Sequence, residues 1–163
     1  MHLIKSCKTK DTYLMTSTTE LQASYELAYI ILPSSILDWF SLVRGEEQKS
    51  SKKPSRDSFW SGTELHIYLD ETDNRSDEEQ TTLSPNGFTE PTVVQDFPIR
   101  DRKVYLHIRR RRWLTKDGRN VLLDTYPLAA EGTRLSAEFA SFLKGEDGYI
   151  SRDSAAAWDL LPD

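Results

Sequence analysis

Residues 96–113, DFPIRDRKVYLHIRRRRW, restrict the fold more than any other part of the chain. Val104, Leu106 and Ile108 alternate with Lys103, Tyr105 and His107, the period of two that a half-buried β-strand requires. Four consecutive arginines, Arg109, Arg110, Arg111 and Arg112, carry the run on to Trp113. With Arg100, Arg102 and Lys103 they make seven cations against Asp96 and Asp101. The stretch is therefore net +5 in a chain whose formal charge is −5, and everything outside it sums to −10. A strongly basic strand in an acidic protein is a local electrostatic footprint, and its natural partner is a phosphate backbone.

Two further stretches share the strand period. Residues 63–70 alternate Leu65, Ile67 and Leu69 with Glu64, His66 and Tyr68, and residues 92–97 form another extended run ahead of Pro98. A tight connection through Arg100, Asp101 and Arg102 leads into the basic strand. After Trp113, Asp117-Gly118 between apolar runs predicts a hairpin, with a returning strand over 120–126 ended by Pro127. One core is expected through Leu65, Ile67, Val104, Leu106 and Ile108.

Helical signals lie at the two ends. Thr19 and Gln22 form a capping box ahead of Leu21, Tyr25, Ala28, Tyr29 and Leu32, and Pro33 interrupts that helix. Ser34 or Ser35 then caps a second helix bearing Ile36, Leu37, Trp39, Phe40 and Val43, with Gly45 as its stop. The aromatic face of this pair is expected to pack on the sheet. Thr133 or Ser136 caps a short helix carrying Phe139, Ala140, Phe142 and Leu143, closed by Gly145, and one weak turn is expected over 154–158. The class is α+β: a mainly antiparallel sheet of about four strands, an N-terminal helical pair and a short C-terminal helix. Residues 1–17 read as a flexible leader, with Met15 an alternative start. Residues 18–144 read as one domain with mobile loops at 46–61 and 70–88, and 145–163 as a tail. The second loop opens on Asp70, Glu71, Asp73, Asp77, Glu78 and Glu79, an acidic run that reads as solvated or as folding back near the arginines.

Composition removes several classes of function. The single cysteine, Cys7, supports neither a disulfide framework nor a thiolate metal site. The longest wholly apolar run, residues 27–32, is too short for a membrane span or a signal-peptide core, so a cytoplasmic location is expected. There is no phosphate-binding glycine loop and no GxSxG elbow. His66 and His107 both fall mid-strand, where surface histidines satisfied by their neighbours are expected. The chain is not expected to be an enzyme, and no cofactor or metal is expected.

Three segments in order, DFPI, KVYLHIRRRRW and LAAEGTRLSAEFASFL, resemble the separately encoded N-terminal region of ISAon-type insertion-sequence transposases. More distantly the chain is similar to the zinc-ribbon start of ISL-type transposases. Asp96, Pro98, Val104, Leu106, Arg111, Arg112 and Trp113 fall on the first part of that pattern, and Arg134 and Ser136 on the second. Where the ribbon carries cysteines, this chain has Leu114, Thr115 and the Asp117-Gly118 turn, so the resemblance implies a degenerate ribbon without metal. It covers about 35–143, most specifically 92–143. It implies a module that binds duplex DNA at the ends of its element and acts with a separately encoded catalytic subunit.

The residues expected to meet nucleic acid are Arg100, Arg102, Lys103, Arg109, Arg110, Arg111, Arg112 and Arg134. If the strand runs straight, Arg109 and Arg111 share a face with Lys103, Tyr105 and His107 and carry most phosphate contacts. Arg110 and Arg112 then project beyond the core, unless a bulge near Arg109 turns them outward. Two other readings stay open: a protein-interaction or regulatory subunit whose basic strand meets an acidic protein surface, and pairing of the quartet with the acidic run in cis.

Overall fold

The computed structural model describes residues 30–32 and 34–144, and they form the expected α+β fold. The leader, the first helix up to residue 29 with its Thr19–Gln22 box, Cys7, His2, Pro33, the Gly145 stop and the turn over 154–158 lie outside the described residues. In chain order the elements are α1 (Ser34–Trp39), β1 (Phe40–Lys49), β2 (Thr63–Glu71), α2 (Asp77–Thr82), β3 (Leu83–Phe88), β4 (Thr92–Ile99), β5 (Arg102–Arg109), β6 (Arg111–Thr115), β7 (Asn120–Val121) and α3 (Ala137–Lys144).

The strands divide into two sheets, ordered β1-β2-β5-β4 and β3-β6-β7. Every pairing is antiparallel except β2 with β5, which run parallel with Leu65 opposite Val104 and Ile67 opposite Leu106. A parallel pair needs a long crossover, and the segment containing α2, β3 and β4 supplies it. The apolar faces of β2, β4 and β5 meet α1 in one core of Ile36, Phe40, Ile67, Leu69, Val94, Val104, Leu106 and Ile108, closed by Leu32 and Leu128. Leu65 packs against that core half-buried, so the five expected aliphatic residues do share it. Tyr126 lies at the same core, and its hydroxyl accepts a hydrogen bond from Ser35 Oγ at 3.1 Å.

At the far edge, residues 134–136 run beside β4. Gln95 N–H donates to the Arg134 carbonyl at 2.7 Å, and Ser136 N–H to the Gln95 carbonyl at 2.8 Å. Ser136 is the cap of α3: its Oγ accepts from Phe139 N–H at 3.2 Å and donates to Asp96 Oδ1 at 2.7 Å. Phe139 and Phe142 then close on Phe97, with ring centroids 5.1 and 5.0 Å away. The two motif segments, around Asp96 and around Ser136, are thus neighbours in space.

Four expectations are corrected. The helix opened by Ser34 ends at Trp39, and Phe40 to Lys49 form strand β1 on the edge of β2. Gly45 stops nothing: it sits opposite Ile67 in the ladder, where an added Cβ would make only ordinary contact. The acidic segment holds a helix, α2, whose capping box is Ser76 with Glu79. Asp77, Glu78 and Glu79 occupy its first turn, where negative charge suits the helix dipole. The returning strand after the hairpin pairs only at Asn120 and Val121. The expected sheet of about four strands is present, and a second one joins it because the basic run does not stay in one sheet. It leaves the first sheet after Arg109, and β6 pairs with β3 instead. The hairpin itself is as expected, with Gly118 at φ +80 and Thr115 N–H donating to the Arg119 carbonyl. Among the described residues, no helix is long and apolar enough to cross a membrane.

Candidate nucleic-acid interface

The break at Arg110 decides what the arginines can do. Arg109 ends β5 opposite Asp70 in the parallel register, on the side away from the core. Its Nε and Nη2 donate to the two Asp70 oxygens at 2.7 and 2.6 Å, a bidentate pair that holds the guanidinium protonated more firmly than usual. Arg110 lies between the sheets. Its backbone N–H donates to Thr89 Oγ1, its Nη2 to the Leu123 carbonyl, and its Nε stands 3.7 Å from Glu71 Oε1. Arg111 opens β6. Its backbone N–H donates to Glu71 Oε2 at 2.7 Å and its Nε to the Glu71 carbonyl at 3.0 Å. The guanidinium groups of Arg109 and Arg111 both lie over the Phe88 ring, 5.0 and 4.9 Å from its centroid.

Arg112 alone of the quartet projects outward without such a partner. It is exposed, and among the described residues no carboxylate or carbonyl engages its side chain. The reason is the alternation of β6. Trp113, only 2% exposed, turns inward beneath the Arg75 guanidinium, 4.2 Å from the ring centroid. Its neighbour in sequence must therefore face out.

The remaining expected residues are scattered. Arg100, at a left-handed φ of 57 in the β4–β5 turn, and Arg134 are both exposed. Arg102 pairs with Glu47 at 2.6 Å and Asp101 at 3.1 Å. Lys103 is 8% exposed, with its ammonium 3.9 Å from the centroid of the Trp60 ring, so the face opposite the core is not open there. The straight-strand expectation, with Arg109 and Arg111 as the open contact pair beside Lys103, is thus not how these side chains lie. All three are covered or engaged within the chain.

Two histidines that the sequence places only mid-strand meet here, because β2 and β5 are neighbours. His66 Nδ1 lies 2.7 Å from His107 Nε2, with one imidazole N–H donating to the other ring. Tyr105 stacks on His66 and Tyr68 on His107, at 5.4 and 4.4 Å between centroids. Glu64 stands 3.3 Å from His66 Nε2, and the Tyr68 hydroxyl donates to Glu46 at 2.7 Å while its ring lies under Arg44. Among the described residues no three His, Cys, Asp or Glu side chains converge as a metal site.

Burial first, and then His66 and Arg44, hold His107 below the ordinary imidazole range against the opposing pull of Glu46. An unfolded histidine titrates near 6.5. Below that pH the unfolded chain binds a proton that folded His107 resists, so stability falls as pH drops through the folded value. Urea midpoints are expected to decline between pH 7 and pH 5.5, and His107→Gln is expected to decline less over the same interval. Equal declines would overturn the assignment.

No family model, no curated protein and no solved structure matches the chain.

Proposed function

We propose that the chain is a duplex-DNA-binding module, the N-terminal region of an insertion-sequence transposase that meets the ends of its element and acts with a separately encoded catalytic subunit in the cytoplasm. The setting comes from the resemblance of residues 92–143. The observation that carries the binding itself is the exposed positive charge on the second sheet. Arg112 is exposed on β6, Lys116 is exposed at its turn, and Arg119 is 78% exposed despite its contact with Asp117. Arg100 and Arg134 add exposed cations elsewhere. No catalytic step is assigned to this chain.

Three arginines of the quartet are already occupied within the chain, and this favours cis neutralisation as the competing account. Duplex binding should show a log-affinity against log-salt slope of roughly −3 to −6, at about 0.9 per neutralised phosphate. A slope near zero would leave an acidic protein partner, or cis pairing alone, as the account of the basic run.

A further inference from the structure

The outer face of the small sheet carries a set of side chains suited to more than phosphate. In β6, Arg112 and Leu114 lie on the face opposite buried Trp113. The register puts Ser84 of β3 and Asn120 of β7 on either side of Leu114. A register shift follows at Asn86 and Gly87, and Gly87 takes the positive φ of +73 that such a bulge favours. The bulge brings the Arg112 guanidinium over the glycine, where an added Cβ would stand 3.7 Å from Nη2. Asn86 reaches across β6, and its Nδ2 donates to Asn120 Oδ1. One exposed arginine and two bridged asparagines thus share a face, with Lys116 and Arg119 in the turn at its end.

We propose that this face enters the major groove of duplex DNA and reads base edges through Arg112, Asn86 and Asn120, while the turn cations contact phosphates. This deepens the DNA-binding reading and rests on it. Arginine matches the two acceptors of guanine, and asparagine matches the donor and acceptor of adenine. The dimensions agree: β7 contributes only Asn120 and Val121, so most of the face is the two-stranded ribbon of β3 and β6, and a two-stranded ribbon is what the B-form major groove, about 12 Å wide, admits. The deep, narrow major groove of an RNA duplex excludes such a ribbon, so the partner is DNA. Arg75, just ahead of the acidic helix α2, packs on Trp113 from the inner face and donates to the Leu83 carbonyl.

The test is selection by the full chain from a randomised duplex pool, beside a salt titration on one fixed duplex of arbitrary sequence. Wild type should enrich a short motif containing a G·C pair with A·T pairs beside it. Replacing that guanine with 7-deazaguanine, which lacks the major-groove N7, should weaken binding about 5- to 100-fold. Arg112→Lys keeps the charge but loses the planar fork, so it should retain the salt slope and lose preference for the guanine. Asn86→Ala or Asn120→Ala should relax the adjacent A·T preference. Salt-dependent binding without any enriched motif overturns base reading by this face and leaves the DNA-binding reading standing. A motif that survives in folded Arg112→Lys, or is indifferent to 7-deazaguanine, assigns recognition elsewhere and also overturns it. Absence of any duplex binding overturns both.

Discussion

Leu106→Ala should lower the free energy of unfolding by about 2–5 kcal/mol, the range for truncating a fully buried leucine. Leu106 has 0% exposure and sits mid-way along β5, between Ile67 of β2 and Val94 of β4, both themselves buried. Strands on both sides and α1 above leave the site little freedom to collapse, so much of the deleted volume remains as a cavity. Urea unfolding with an unchanged denaturant slope would measure it cleanly. Val43→Ala, at an exposed position on β1, should change stability by no more than about 0.5 kcal/mol. A loss below about 1 kcal/mol at Leu106 would mean that β5 is an exposed ribbon and that the core lies elsewhere.

The core was legible because its strands obey one rule without interruption. In β2 and β5 every second side chain is aliphatic and the partners between are polar, so one face has to be buried whatever the neighbour is. The cap of α3 was legible to one of two residues, Thr133 or Ser136, and Ser136 takes the task, its hydroxyl accepting from Phe139 N–H. β1 was not. Ile36, Leu37, Trp39, Phe40 and Val43 satisfy a helical period over a run too short to exclude a strand, and the free edge of β2 decided the matter after Trp39. α2 could have been read from Ser76 and Glu79, a capping box hidden in an acidic run. β3 contains Pro85-Asn86-Gly87, which reads as a turn. It tolerates them as an edge strand with a bulge.

The candidate site was legible only in composition. Which arginines are engaged depends on the parallel register of β2 with β5, and nothing local announces a parallel pair. That register sets Asp70 against Arg109 and brings His66 to His107. The exit from the sheet at Arg110 likewise follows from long-range demands, the burial of Trp113 and the pairing of β6 with β3. An unbroken period of two predicted faces for all four arginines. The break at Arg110 hands Arg111 to Glu71 and leaves Arg112 outside.

Glu71→Ala should cost about 2–4 kcal/mol, from the loss of hydrogen bonds to a buried charged group and of its ionic partner. Glu71 is 5% exposed at the end of β2, opposite Phe40, where the chain passes from one sheet to the other. Its carboxylate accepts the Arg111 N–H and lies beside Arg110 Nε, a buried atom with no hydrogen-bond partner. Removing it leaves a donor without its acceptor and a guanidinium without its countercharge at the junction of the two sheets. Asp70→Asn makes the opposite kind of change. Its pair with Arg109 is partly solvated, with the arginine side chain 43% exposed, so stability should move little. The released guanidinium would be free for phosphate, and the salt slope of duplex binding should steepen by about one unit. The two variants therefore separate structural from regulatory roles of the cis carboxylates, using denaturant melts and salt titrations on the same proteins. Wild-type stability in Glu71→Ala would mean that another contact holds the junction. An unchanged salt slope in folded Asp70→Asn would mean that Arg109 cannot reach a phosphate from its place at the end of β5.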